Sequence, residues 1–312
     1  MEASIPEAVP GRWELGLEAP ARARGLWRRR VAAAVLLLSV TVILIDAVVV
    51  EPSWIETVRS IEYVAALPAR APDLTLVHIS DLHIVQIGLR ERRAIALINE
   101  ARPDLIMVSG DLTREGSAPG AIETFFGALN ARYGTYAVWG NHDYWDKAAI
   151  TWGPETLKRS GVTLLRNSST RLPWSGGRVV IAGVDDPVTG RDNLREAMRG
   201  VPRQDVCILL SHSPEIAPSL GNWDIDIMLA GHTHGGQVRL PLLGAIIVPP
   251  GTRDFVEGWF SLQGGARLHV SQGLGWSYLP IRFFCRPRID VITLRGGRPP
   301  GLHVTRSILG RT

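Results

Sequence analysis

The chain has 312 residues, 46% of them hydrophobic, a formal net charge of +4 and two cysteines. Length and apolar content suit one large or two small folded domains with a sizeable core, and exclude a disordered chain. Much of the basic excess is arginine in the first thirty residues rather than a stripe along the globular part, so no nucleic-acid platform is expected.

In chain order, residues 1–30 form a basic tail, followed by the 20-residue apolar stretch VAAAVLLLSVTVILIDAVVV at 31–50. Wound as a helix, that stretch covers roughly 30 Å of hydrocarbon and reads as one transmembrane helix. The Asp46 carboxylate costs about 2.5–3.5 kcal/mol at mid-membrane but less near a helix end, where it sits. Arg12, Arg22, Arg24, Arg28, Arg29 and Arg30 precede the stretch, against Arg59 and Arg70 just after it. The positive-inside rule then leaves the N-terminus in the cytoplasm and the rest on the outer, periplasmic or extracytoplasmic, side of the cell's inner membrane. Arg28-Arg29-Arg30 is also compatible with an export signal, although no A-x-A-like cleavage site follows. A helix lying on the surface is disfavoured, because the stretch is apolar all round. Residues 51–72 read as a juxtamembrane linker ending near Pro68 and Pro72.

The remaining domain, 73–312, alternates apolar runs with helical patterns. The runs 74–80, 104–110, 134–140, 205–211 and 224–230 read as buried strands, and 90–101, 119–131 and 191–199 as helices. Further strands are expected at 162–166, 178–184, 245–248, 267–271 and 288–294, some joined by the turns SGG (175–177) and QGG (263–265). The fold class is α/β. Cys207 and Cys285 lie in apolar surroundings and are expected as buried free thiols, too few for a disulfide framework.

Each of the five main runs hands over to a polar residue. The first leads to Asp81-Leu82-His83, the second to Asp111, the third to Asn141-His142-Asp143, the fourth to His212, the fifth to His232-Thr233-His234. In open α/β sheets the carboxyl edge of the strands is where ligand sites form. An isolated H-x-H is equally compatible with a polar turn, but five ordered handovers are not a coincidence of turns. In extended backbone i and i+2 face one way, so D-x-H and H-x-H are each expected to aim two donors at one target. The donors are oxygen and imidazole without thiolate, a set for Mn, Fe, Zn or Co, and too many for one tetrahedral ion. They suit two ions sharing a carboxylate.

The ordered pattern D-x-H (81–83), G-D (110–111), G-N-H-D (140–143), His212 and G-H-x-H (231–234) resembles the calcineurin-like metallophosphoesterases. The strings GHTHGGQVRLP, VSQGLG and PIRFFCRP resemble the bacterial membrane-associated branch of that superfamily. The resemblance covers roughly 73–295. It implies a four-layer α/β/β/α sandwich of two mixed sheets. It further implies that Asp81, His83 and His234 hold one metal while Asn141, His212 and His232 hold the other, with Asp111 bridging. The cofactors implied are two divalent ions, Mn first, with Fe, Zn or Co as alternatives. The activity implied is hydrolysis of a phosphoester by a bridging hydroxide, with His142 contacting phosphate and protonating the leaving oxygen. Asp143 is expected to orient the His142 ring, with capping of the following helix as its alternative.

Asp185 and Asp186 are expected in a turn or behind the site, His78 in or near the core, and Gly235 and Gly236 at a close backbone approach beside the metals. His269 and His303 belong to no motif. Tyr144, Trp145 and Trp152 lie on a loop expected to overhang the site, where rings receive an acyl chain or stack on a base, or else pack on their own domain. Membrane anchorage favours a phosphodiester or pyrophosphate bond in a lipid-linked or envelope substrate. The alternatives are UDP-2,3-diacylglucosamine pyrophosphatase, disfavoured by the outward orientation because that substrate is cytosolic, and a phosphomonoesterase or protein phosphatase. A membrane-tethered metal-binding scaffold is the non-enzymatic alternative.

Overall fold

The computed structural model describes residues 21–298 except 222; Arg12 and the start of the basic tail, and His303, lie outside the described residues. It contains two compact units, divided between Ile45 and Asp46. The first is the α-helix Ala21–Ile45. Together with the residues up to Ser53 it makes a helix long and apolar enough to cross a membrane. The apolar stretch 31–50 straddles the division, because Asp46–Val50 winds as a π-helical turn belonging to the second unit.

The second unit is built on two six-stranded mixed sheets. The first sheet runs in the order β1 (Glu56–Val64), β14 (Arg288–Gly296), β2 (Leu74–Ile79), β3 (Leu105–Ser109), β4 (Thr135–Val138) and β5 (Val162–Leu164). The second runs β12 (Gly258–Ser261), β13 (Arg267–Val270), β9 (Ile227–Ala230), β8 (Val206–Leu210), β7 (Val179–Gly183) and β6 (Ser168–Arg171). A short hairpin, β10 (Arg239–Leu240) with β11 (Gly244–Ala245), stands apart. The five main runs are the strands β2, β3, β4, β8 and β9, parallel to one another within each sheet and buried on both faces, which is why they read as largely apolar rather than alternating runs.

Residues 51–72 are more than a linker. Within them β1 pairs in parallel with β14, from Glu56 with Arg288 to Val64 with Gly296. Its run ETVRSIEYV is an edge strand, half-buried and largely polar, so it lacks the apolar signature of the inner strands. The polar edge strand β6 escaped the sequence for the same reason, and the edge strand β12, GWFS, because four partly exposed residues are too short a run to read. The helix Lys147–Arg159, capped by Asp146 through the Ala148 and Ala149 amides, was also not foreseen. Of the expected strand 245–248 only the two-residue pairing of β11 forms.

Three apolar layers hold the unit together. Val77, Ile79, Ile106 and Val108 pack against helices Leu89–Glu100, Pro119–Gly127 and Lys147–Arg159 through Ile98, Phe125 and Leu157. Leu74, Leu76, Leu105, Met107, Ile208, Leu229 and Ile292 fill the space between the sheets. Leu209, Met228, Leu268 and Val270 are covered by Met198, Ile216 and Leu220. Each such side chain contributes roughly 1.5–3 kcal/mol by leaving water. The fourth layer is thin: the expected helix 191–199 shrinks to Leu194–Ala197, beside the 3₁₀ turn Pro214–Ser219. Towards the carboxyl ends of β2 and β3, the face carrying Leu76 and Met107 continues as His78 and Ser109, and β14 brings Asp290 opposite His78. Apolar packing thus gives way to a polar floor beneath the strand ends.

Candidate metal centre

The strand ends of both sheets bring Asp81, His83, Asp111, Asn141, His212, His232 and His234 together. All but His232 are almost wholly buried, and His232 is partly exposed. The distances divide the donors into two groups. In one, His83 Nε2 faces His234 Nε2 at 3.4 Å, and His234 Nε2 lies 3.4 Å from Asp81 Oδ1. In the other, His212 Nε2 lies 3.0 Å from Asn141 Oδ1 and 3.1 Å from His232 Nδ1. Asp111 Oδ2 stands between the groups, 3.6 Å from His83 Nε2 and 3.4 Å from His212 Nε2. Its other oxygen is engaged, accepting the His142 amide at 2.8 Å.

These residues fit a pair of metal ions. Donors each about 2.0–2.2 Å from one cation stand roughly 3.0–3.5 Å apart, the spacing seen within each group. Two ring nitrogens facing each other across 3.4 Å suit lone pairs aimed at a cation between them. Burial holds His83 and His232 neutral, lowering each to about 3, and holds His234 well below its usual range. His212 donates from Nδ1 to the Ser109 carbonyl at 2.9 Å, which leaves Nε2 as the donor to a metal. Burial works against charge on Asp111, yet the neighbouring His212, itself raised to about 10 by the Asp111 and Asp81 carboxylates, holds that carboxyl below the ordinary carboxylate range, a role that a cation at His212 Nε2 would take over.

The backbone here departs from the extended geometry expected for the D-x-H and H-x-H motifs. Asp81, His83, Asp111, His232 and His234 all have φ between 46° and 69°, the left-handed region that side chains rarely occupy. Convergence of i and i+2 comes from a strained turn at each strand end rather than from the strand pleat, a cost of order 1–3 kcal/mol per residue that the surrounding packing must offset. Glycines admit the close approach. A Cβ on Gly140 would meet the Asp111 carboxylate and backbone, and one on Gly110, itself at φ 90°, would lie 2.6 Å from His212 Nδ1. Gly235 and Gly236 do not approach the metal donors as expected. Their left-handed turn lies against Cys285 and Gln272 on one side and Ala245 on the other.

His142 sits at the mouth, half-buried, its ring edge-on to His83 at 4.7 Å and to Trp145 at 4.6 Å. Asp143 does not orient that ring. Its carboxylate accepts the amides of Gly140 (2.8 Å), Leu112 (3.2 Å) and Thr113 (2.8 Å) and the Thr113 hydroxyl (2.8 Å). It caps the short helix Asn141–Trp145 and ties the loop after β4 to the loop after β3, so the two loops carrying Asp111 and Asn141 move as one. The three aromatics expected on a loop lie on helices instead, Tyr144 and Trp145 on Asn141–Trp145 and Trp152 on Lys147–Arg159, and of the three Trp145 is the one against His142. Tyr144 donates its hydroxyl to Asp185 at 2.6 Å, beneath the Arg191 guanidinium, and Trp152 packs on the helical layer. Asp186 takes a turn role, accepting the Thr189 amide at 2.8 Å.

Sequence reading missed what lies behind the donors. His78 Nδ1 pairs with His269 Nδ1 at 3.0 Å, His78 Nε2 with the Ser109 hydroxyl at 2.8 Å, and His269 Nε2 lies 3.4 Å from Asp290, which Arg288 also engages at 2.5 Å. Arg282, wholly buried, donates to the carbonyls of Gln272, Gly273, Gly275 and Cys285, clamping the loop on which Asp81 rests through the Gly275 amide. The signal for Arg282 was the string PIRFFCRP, legible only as a resemblance. For His269 and Asp290 there was none, since their partners lie on distant strands.

A fold of two mixed sheets with two groups of hard donors meeting at one carboxylate defines a class of metal-dependent hydrolases. Residues 74–236 match the family model described as calcineurin-like phosphoesterase. The chain is 31% identical over 251 residues to an uncharacterized metallophosphoesterase of Bacillus subtilis, YkuE, covering 78% of this chain and 87% of that one. It is 30% identical over 253 residues to the phosphodiesterase YaeI of Escherichia coli, covering 78% and 90%. A transmembrane protein with metallophosphoesterase domain from Danio rerio is 29% identical over 258 residues, covering 74% of this chain and 55% of that protein. The chain belongs to the calcineurin-like phosphoesterase family and is a phosphoesterase hydrolase, of a kind that works with two divalent metals.

Proposed function

We propose that this protein is a membrane-anchored phosphodiesterase acting on a lipid- or envelope-related substrate, with Mn as the favoured metal. The observation that carries the catalytic reading is the position of Asp111 Oδ2 between two groups of three donors. Asp81, His83 and His234 would hold one ion and Asn141, His212 and His232 the other, with Asp111 placed to serve both. Two such ions supply an activated water and electrophilic stabilisation of the phosphoryl oxygens. His142 stands beside the donors without belonging to either group, where it contacts phosphate and delivers a proton to the departing oxygen. Asp143 keeps the Asp111 and Asn141 loops in register. Preference for a diester is supported by the name of the relative YaeI, a phosphodiesterase. Anchorage is supported by the apolar helix, and an outward-facing domain by the arginines that precede it.

The test is a comparison by the full-length protein, metal-stripped and reloaded with Mn, of a generic phosphodiester, a generic monoester and UDP-2,3-diacylglucosamine. A truncation near residue 71 would remove β1 from its sheet and is to be avoided. Diester turnover above the other two is expected. Strong preference for the nucleotide lipid would overturn the outward orientation, and monoester preference would overturn the diester reading.

A further inference from the structure

Two joined segments, one of which reaches the candidate metal centre at Tyr278, carry exposed apolar side chains where a water-soluble enzyme would be polar. Leu242 is fully exposed, and Leu243 (76%), Ile247 (76%) and Tyr278 (77%) nearly so, with Leu279 and Phe284 also largely exposed. They come from two segments, the β10–β11 hairpin and the loop 276–284, that are fastened together. The Gln237 side chain donates to the carbonyls of Leu279 and Ile281 and accepts the Ser277 amide, while the Arg239 amide donates to the Phe283 carbonyl and the Phe283 amide to the Gln237 carbonyl. Isolated exposed leucines need no explanation, whereas six large apolar side chains on two segments fastened together do.

The same loop is tied to the end of the apolar stretch. The Arg282 amide donates to the Ala47 carbonyl at 2.9 Å, and the Phe284 and Cys285 amides donate to the Glu51 carboxylate at 2.8 and 2.6 Å. Val48, Val49 and Val50, the last residues of that stretch, are themselves exposed. Trp54 follows, with the Arg286 guanidinium 4.2 Å above its ring. An aromatic ring, an arginine and exposed aliphatic side chains together are the composition of a membrane interface. The loop 276–284 reaches the candidate metal centre, for the Tyr278 ring centroid lies 6.3 Å from that of His142. Arg282 holds this loop rigidly, so its apolar side chains are presented rather than trailing.

We infer that the β10–β11 hairpin and the loop 276–284 dock into the headgroup region of the bilayer that receives the apolar stretch, so that the metal centre faces lipid at headgroup depth. The substrate class this selects is a phosphoester of an amphiphile taken while its acyl chains remain in the membrane. The substrate part rests on the phosphoesterase reading; the docking itself does not.

The test uses the full-length protein in phosphatidylcholine–phosphatidylglycerol vesicles, with a fluorophore on Leu243→Cys or, as control, on Arg203→Cys. Cys207 and Cys285 are buried and do not compete for label. Arg203 is exposed and lies just before β8, at the strand edge away from the metal centre. Docking to a depth of about 5–10 Å predicts that nitroxides on lipid chains quench the Leu243 label roughly twofold more than the control, with iodide quenching correspondingly reduced. A Leu243 label as accessible to iodide as the control overturns the inference, and so does one shielded from both quenchers, which would mean a protein covers these segments. Triple replacement of Leu242, Leu243 and Ile247 by Asp should lower the ratio of vesicle-lipid to soluble-diester turnover by about tenfold or more; an unchanged ratio overturns the substrate part. Lipid quenching without any diester turnover would defeat only the proposed function, whereas soluble-diester turnover with an iodide-accessible label would defeat only this inference.

Discussion

Two buried clusters of histidine and aspartate lie near one another, and both bring ligand atoms within 4.8 Å of each other. One is Asp81, His83, Asp111 and His234; the other is His78, His269 and Asp290. In the first, ring nitrogens face each other and the backbone is held left-handed. In the second, every ring nitrogen is within reach of a neighbour, the backbone is ordinary strand, and Arg288 already supplies the cation Asp290 needs. Equal spacing therefore accompanies opposite chemistry. What marks the candidate metal centre is ring nitrogens that converge on one another with no hydroxyl or guanidinium between them, presented from a strained backbone, not proximity.

That contrast is open to direct attack. Asp111→Asn should abolish binding of at least one ion, measured as metal content per chain, and reduce diester turnover by on the order of 10³-fold or more, since several kcal/mol of transition-state stabilisation depend on the pair. His142→Ala should keep both ions while losing about 10²–10⁴ in rate, most with poor leaving groups. Equal losses for good and poor leaving groups would remove its proton-delivery role. Asp290→Ala should leave metal content intact but cost about 1–3 kcal/mol of stability, because it removes the buried acceptor shared by Ser271, His269 and Arg288, while Glu257 still faces the Arg288 charge. A loss of metal in that variant would show that the second cluster is no mere support.

The smallest effect lies in the pH dependence of folding. Burial lowers His78 to about 3, against 6.5 in the unfolded chain. Between those values only the unfolded chain takes the proton, so the contribution is complete above pH 6.5 and is lost as pH falls. From pH 6 to pH 4, native protein should lose about 1.4 kcal/mol per unit more than His78→Gln, as read by denaturant titration. Parallel profiles for the two proteins would mean that His78 is protonated in the fold.

The five parallel strands and the residues that follow them could be read directly, because each central strand is buried on both faces and must be apolar until it reaches the site. The order of polar handovers then offered the candidate donors, and the resemblance to the calcineurin-like family implied which seven of them are ligands. Asp143 was legible only as a choice between two roles, since a carboxylate three residues after a glycine suits either capping or ring orientation. The edge strands β1, β6 and β12 left no mark, because a strand with one solvated face and few neighbours needs no apolar run. His269 and Asp290 stayed silent because a buried polar pair is defined by partners on other strands.

What the sequence determined alone is the chemistry: which donors exist, that they lack thiolate, and that a span-length apolar helix precedes them. What tertiary structure decided is their use. Only packing of the two sheets could set Asp111 between two groups of donors, turn Asp143 onto backbone amides, and place Leu243 and Tyr278 on segments tied to the end of the apolar stretch. Local sequence fixes what a side chain can donate or accept, but the energy of burying it depends on which neighbours arrive from far along the chain.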